Sequence, residues 1–111
     1  MMRGEMMQIL KTNKFKRCVD GTVLKEYSVD EEVTRELLTY FGEFGTVKVL
    51  DNLKQPFFSF SKEEYFSIKG MVGDQTLYVR YHEEHMEESH ELFTSMLEQW
   101  VPGNMVPNQI N

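Results

Sequence analysis

Between Phe66 and His82 the chain keeps a two-residue rhythm that suits a sheet covered on one side only. Phe66, Ile68 and Val72 share one parity of the first run, and Leu77, Val79 and Tyr81 share one parity of the next. Ser67, Lys69, Tyr78, Arg80 and His82 alternate with them. Successive side chains on a strand point to opposite faces, so one face packs and the other meets water. Gly73-Asp74-Gln75 supplies the turn between the two runs. Upstream, TVKVLD from Thr46 and FFSFS after Pro56 add two more strands.

An earlier hairpin is signalled by Asp20-Gly21 between FKRCV and TVLKEYSV. A two-residue type I′ turn needs positive φ at both positions, and Asp-Gly meets that need at little strain. Strands near 14 to 19 and 22 to 28 follow, in a register that sets Lys16 opposite Lys25, a repulsive pair. Ser28-Val29-Asp30-Glu31 then reads as a capping box that opens a helix. With each residue turning about 100°, Val33, Leu37, Tyr40, Phe41 and Phe44 form one apolar stripe, and Leu38 points away from it. Gly42 or Gly45 ends the helix. A closing helix from about Glu83 to Trp100 gathers Met86, Phe93, Met96, Leu97 and Trp100 on one side. Both helices therefore cover the same sheet face. The tail VPGNMVPNQIN, 101–111, reads as a loose extension of a single domain spanning 1–100.

The expected fold is α+β: one antiparallel sheet of five or six strands with two helices on one face, in the order β-β-α-β-β-β-β-α. From its second strand onward this order resembles that of TATA-binding-protein-like and helix-grip domains. The resemblance is topological, covers most of the chain and rests on no motif residues. Such scaffolds serve DNA binding, lipid binding and catalysis alike, so it implies a fold and no activity. A ferredoxin-like arrangement with fewer paired strands is the alternative.

Charge narrows the partners. All 12 Lys and Arg lie between Arg3 and Arg80, and the segment from Tyr81 onward carries Glu83, Glu84, Glu87, Glu88, Glu91 and Glu98 with no basic residue. The first 80 residues are balanced, so the net charge of −6 belongs to the C-terminal segment, which an anionic partner should avoid. No run approaches the roughly 18 apolar residues of a membrane-spanning helix, and Glu5 interrupts the start where a secretory core would begin. Cys18 is the only cysteine, which excludes an internal disulfide and fits a reducing, cytoplasmic setting.

Three groups of residues carry chemistry of interest. His82, His85 and His90, with the glutamates around them, have the ligand types of a Zn or Ni site. Their spacing is poor: His82-Glu83-Glu84-His85 falls one residue short of H-E-x-x-H, and His85 and His90 sit about 140° apart on a helix. First-turn glutamates also have a plain role beside the positive end of the helix dipole. Lys48, Lys69, Tyr78 and Arg80, with Ser59, Ser67, Phe57 and Tyr65 near them, mark the open sheet face. Basic groups among aromatics suit single-stranded nucleic acid, yet a solvated face has the same composition and the net charge opposes a polyanion. Cys18 follows Lys16 and Arg17, but alternation puts only Lys16 on its face, and a half-buried thiol is the plainer account.

No nucleophile–base pair, glycine-rich phosphate loop or cofactor motif is present. The expected function is a non-catalytic binding or protein-interaction domain, self-associating as a homodimer through the open sheet face or the outward side of the first helix, without cofactor and without a membrane. Leu38 and Met71, apolar and facing outward in this scheme, are the expected interface residues. A nucleic-acid-binding module on the open face is the alternative, and a metal- or ligand-binding protein acting through the histidines comes third.

Overall fold

The hairpin at Asp20-Gly21 forms, with a wider loop than the dipeptide implies. In the computed structural model, which describes residues 7–51 and 54–100, the Cys18 N–H donates to the Thr22 carbonyl at 2.8 Å and the Gly21 N–H to the Cys18 carbonyl at 3.4 Å. The loop is thus Val19-Asp20-Gly21, and Gly21 alone takes a positive φ, +84°. Three-residue loops of this kind need one left-handed residue, which glycine supplies without a Cβ clash. Asp20 holds the loop through Oδ1, which accepts from the Thr22 hydroxyl at 2.6 Å and the Thr22 N–H at 3.2 Å.

The extra loop residue shifts the expected register by one. Lys16 faces Leu24, and Lys25 faces Phe15 with its ammonium 5.4 Å from the ring centroid. A like-charge pair is thereby exchanged for a cation–π contact.

The elements are β1 (Ile9–Arg17), β2 (Thr22–Val29), α1 (Arg35–Phe41), β3 (Thr46–Leu50), β4 (Phe57–Lys62), β5 (Phe66–Met71), β6 (Thr76–His82), a single 3₁₀ turn (Glu83–His85) and α2 (Met86–Glu98). The strands form one six-stranded sheet in the order β1-β2-β6-β5-β4-β3, antiparallel at every step. The α+β class and the order of elements agree with the sequence, and the full sheet displaces the ferredoxin-like alternative. The proposed loose tail, 101–111, lies outside the described residues.

The start of α1 differs from expectation. Ser28 and Val29 stay in the sheet, where the Val29 N–H donates to the Gln75 carbonyl, and the Asp30 N–H donates to that of Gln8. Thr34 is the N-cap, its hydroxyl accepting from the Leu37 N–H at 3.1 Å. The backbone of residues 28–30 finds sheet partners, and that satisfaction overrides a local capping pattern.

Both helices lie on the face formed by Val23, Tyr27, Phe58, Phe60, Phe66, Ile68, Leu77, Val79 and Tyr81, all buried. Phe93 of α2 stacks on Tyr27 at 5.3 Å and meets Phe66 and Tyr81 edge-on at 6.0 and 6.4 Å. Phe41 of α1 packs near Phe58 and Phe60. The helices are tied to each other by the Tyr40 hydroxyl, which donates to the Met96 carbonyl at 2.7 Å, and by Trp100 against the Tyr40 ring. Gly70 has the Phe58 ring where a Cβ would stand, 2.8 Å from Cε1, so the aromatic lies flat on the sheet backbone.

The hydroxyls of Tyr27 and Tyr81 meet in this core at 2.8 Å. Burial pushes both phenols above the ordinary 10.0, most strongly Tyr81, whose bond to Tyr27 adds to the rise. The folded chain keeps those protons after the unfolded chain has released them. Stability is therefore whole below pH 10.0 and falls as pH rises beyond it, because the unfolded state then binds fewer protons. Denaturant melts at stepped alkaline pH should show that fall, and Tyr81→Phe should make it shallower. Phe93→Ala should cost about 3–5 kcal/mol in the same melts, the usual loss for a phenylalanine removed from a closed core.

Candidate functional site

Among the described residues no element packs on the sheet face away from the helices, here the bare face, and its residues follow from the strand register. One row crosses the whole sheet: Lys48, Ser59, Lys69, Tyr78, Glu26 and Lys14, each opposite the next. A second runs beside it: Thr46, Ser61, Ser67, Arg80, Leu24 and Lys16. The expected residues Lys48, Lys69, Tyr78 and Arg80 thus share one face, with Lys69 and Tyr78 directly opposed. Tyr78 is 42% exposed in the middle of the sheet.

Arg80 is anchored at the base of the β1–β2 hairpin. Its Nη1 donates to Thr22 Oγ1 at 3.0 Å, and lies 3.7 Å from Cys18 Sγ and 3.8 Å from Asp20 Oδ2. Asp20 is held below the usual carboxylate range, chiefly by the Thr22 hydroxyl bond, with the Arg80 charge contributing less. A cation in contact with Cys18 thus comes from β6, far along the chain. Neither Lys16 nor Arg17 takes that place; Arg17 pairs with Glu83 across the hairpin end.

Met71 is half-buried on the same bare face, continuing a third row from Leu50 through Phe57. Leu50 is 55% exposed, so one corner of the face is apolar. Leu50 was not singled out from the sequence, although its parity with Lys48 places it there.

Leu38 corrects an expectation. It is 4% exposed, although the helical stripe turns it away from the sheet. The cause is the edge strand: α1 beds against β3 as well as on β4, where Phe41 meets Phe58 and Phe60, so two of its sides are covered. Leu38 lines a groove of about 560 Å³ between α1 and β3, together with Arg35, Thr39, Gly42, Val47 and Val49.

The three histidines do not converge. His82 closes β6 opposite Thr22, on the parity of the bare face. His85 sits in the 3₁₀ turn with its ring 5.5 Å from that of Tyr65 and Nδ1 3.4 Å from Glu88 Oε1. His90 is exposed on α2 near the Tyr81 ring, beside a cleft that it shares with Lys25, Met86 and Glu91. Among the described residues, no three His, Cys, Asp or Glu side chains gather as a metal site would require. No helix among them is long and apolar enough to cross a membrane.

No protein-family model matches the chain, and neither the curated proteins nor the solved structures hold a significant match. What can be said of function therefore rests on these surfaces.

Adding Zn or Ni, or then a chelator, should leave the melting temperature where it was, because a ligand that binds the folded state raises it. A rise that the chelator reverses would show that the histidines reach an ion after all.

Proposed function

We propose that the protein is a non-catalytic interaction domain that self-associates by pairing β3 with β3 of a second copy. The observation that carries this reading is the difference between the two sheet edges. β1 breaks its register twice, between Ile9 and Lys11 and between Thr12 and Lys14, and bears the exposed lysines Lys11, Lys14 and Lys16. Bulges and edge lysines are the usual devices that keep an edge strand from pairing with another chain.

β3 lacks the bulges. Thr46–Leu50 pairs with β4 without a register shift, and among the described residues no strand pairs with its other side, which leaves a row of backbone groups for a partner strand. Val47 and Val49 are half-buried on the helix side, in the groove with Leu38, where apolar side chains from a second β3 would find cover. In this reading Leu38, which is buried and not the outward knob expected, contributes only as a wall of that groove. Met71 stands two strands further in, on the bare face.

Sedimentation velocity on the untagged protein tests the reading. A dimer is expected for the parent chain and a monomer for Thr46→Lys combined with Leu50→Lys, which sets three like charges along the edge. Both positions are exposed, so stability should move by no more than roughly 0.5 kcal/mol. A parent chain that stays monomeric, or a doubly substituted chain that stays dimeric, would count against pairing through β3.

A further inference from the structure

Charge is divided unevenly between the two faces, although Lys25, Arg35 and Lys62 also lie on the helix side. Glu83, Glu84, Glu87, Glu88, Glu91 and Glu98 are exposed on the 3₁₀ turn and α2, and Glu36 and Glu43 on and just after α1, all on the helix side. The two long rows of the bare face hold Lys14, Lys16, Lys48, Lys69 and Arg80 against the single carboxylate of Glu26. Asp20 adds a second carboxylate at the hairpin end, near Arg80. A chain of net charge −6 therefore presents one cationic surface, and the net value says little about what that surface attracts.

The same face offers more than charge. Tyr78 is exposed between Lys69 and Glu26 on the central strand β6, and Phe57 is half-buried two strands away. Ser59, Ser61, Ser67 and Thr46 lie between the cations, with hydroxyls suited to phosphate oxygens. Neighbouring strands are about 4.8 Å apart, so Lys48 and Lys69 stand roughly 10 Å apart with Tyr78 one strand beyond. A second copy placed face to face would set lysine against lysine. A duplex would leave Tyr78 without an unstacked base. Single strands supply both phosphates and free base faces.

We propose that the bare sheet face binds single-stranded nucleic acid, with Lys48, Lys69 and Arg80 at the phosphates and Tyr78 stacked on a base. The face is complete within one copy, so this binding does not depend on pairing through β3.

Fluorescence anisotropy with end-labelled oligouridine and oligothymidine of about 12 nucleotides tests it, since platforms of this kind cover roughly 4–16. Three phosphate contacts at about −0.7 each predict a log–log salt slope near −2, or about a fifteenfold loss between roughly 50 and 200 mM salt. Lys48→Gln with Lys69→Gln should make that slope shallower by more than one unit. Tyr78→Ala should weaken binding roughly five- to a hundredfold, and Tyr78→Phe should not. Circular dichroism checks the fold of each variant. Ultraviolet cross-linking of the parent chain, mapped by mass spectrometry, should mark Tyr78 or Phe57 and so gives a reading that needs no substitution.

Absent binding at low salt would overturn the proposal. So would equal affinity for a duplex of the same length, or cross-links confined to the helix side. An oligoglutamate bound as tightly as the oligonucleotides, with Tyr78→Ala neutral, would assign the face to an acidic protein segment instead.

Discussion

Phe93 is the contact from which the rest of the arrangement follows. Its ring lies between Tyr27 on β2, Tyr81 on β6 and Phe66 on β5, and so pins α2 across the middle of the sheet. With α2 there, Leu97 and Met96 reach the same layer, Tyr40 finds the Met96 carbonyl, and α1 is drawn in beside it. The packing is one-sided by necessity. A sheet of six strands with two helices has enough apolar surface to close one face only, and the aromatic layer uses it there. The bare face, the free edge at β3 and the separation of charge are consequences of where that closure falls.

Most of this layering was legible in the sequence because it is local. From Phe57 to His82, half-buried strands write their two faces as alternation, and short turns leave little freedom in pairing. The stripes on both helices were legible for the same reason. What was not legible depends on partners far along the chain. β1 begins at Ile9, earlier than alternation suggests, since nearly all of its residues are exposed on both faces and its two bulges break the period. The false capping box at Ser28 fails because Gln75, just before β6, and Gln8 supply backbone partners that lie outside the local pattern.

The bare face was half legible in the same sense. Parity placed Lys48, Lys69, Tyr78 and Arg80 on one face, but only the register joins them into rows and adds Lys14 and Lys16 from the first hairpin. Counting charge along the chain locates the acidic end and hides the cationic face, because the basic residues of β1, β3, β5 and β6 are scattered in sequence and gathered only by the sheet. Leu38 shows the reverse error. One helical stripe was read as the whole covered side, and the edge strand that covers the second side follows α1 by just a few residues without any signal that it will curl against it.

Cations on the bare face also bear on how the sheet avoids stacking on another copy. Leu50, Phe57 and Tyr78 would make an uncovered sheet prone to stacking on another copy. Lysines in the rows beside them keep such a contact from being dry, since two copies meeting face to face would have to desolvate like charges against each other. The two edge strands differ in the same respect, with lysines and bulges guarding β1 while β3 is left regular. A strand lysine adds little to the sheet itself, and the helix-side core supplies the stability that allows polar positions to be chosen for what they meet in solution. The two outward features, a regular edge and a cationic face, therefore belong to one scaffold, and they meet at β3, which carries Lys48.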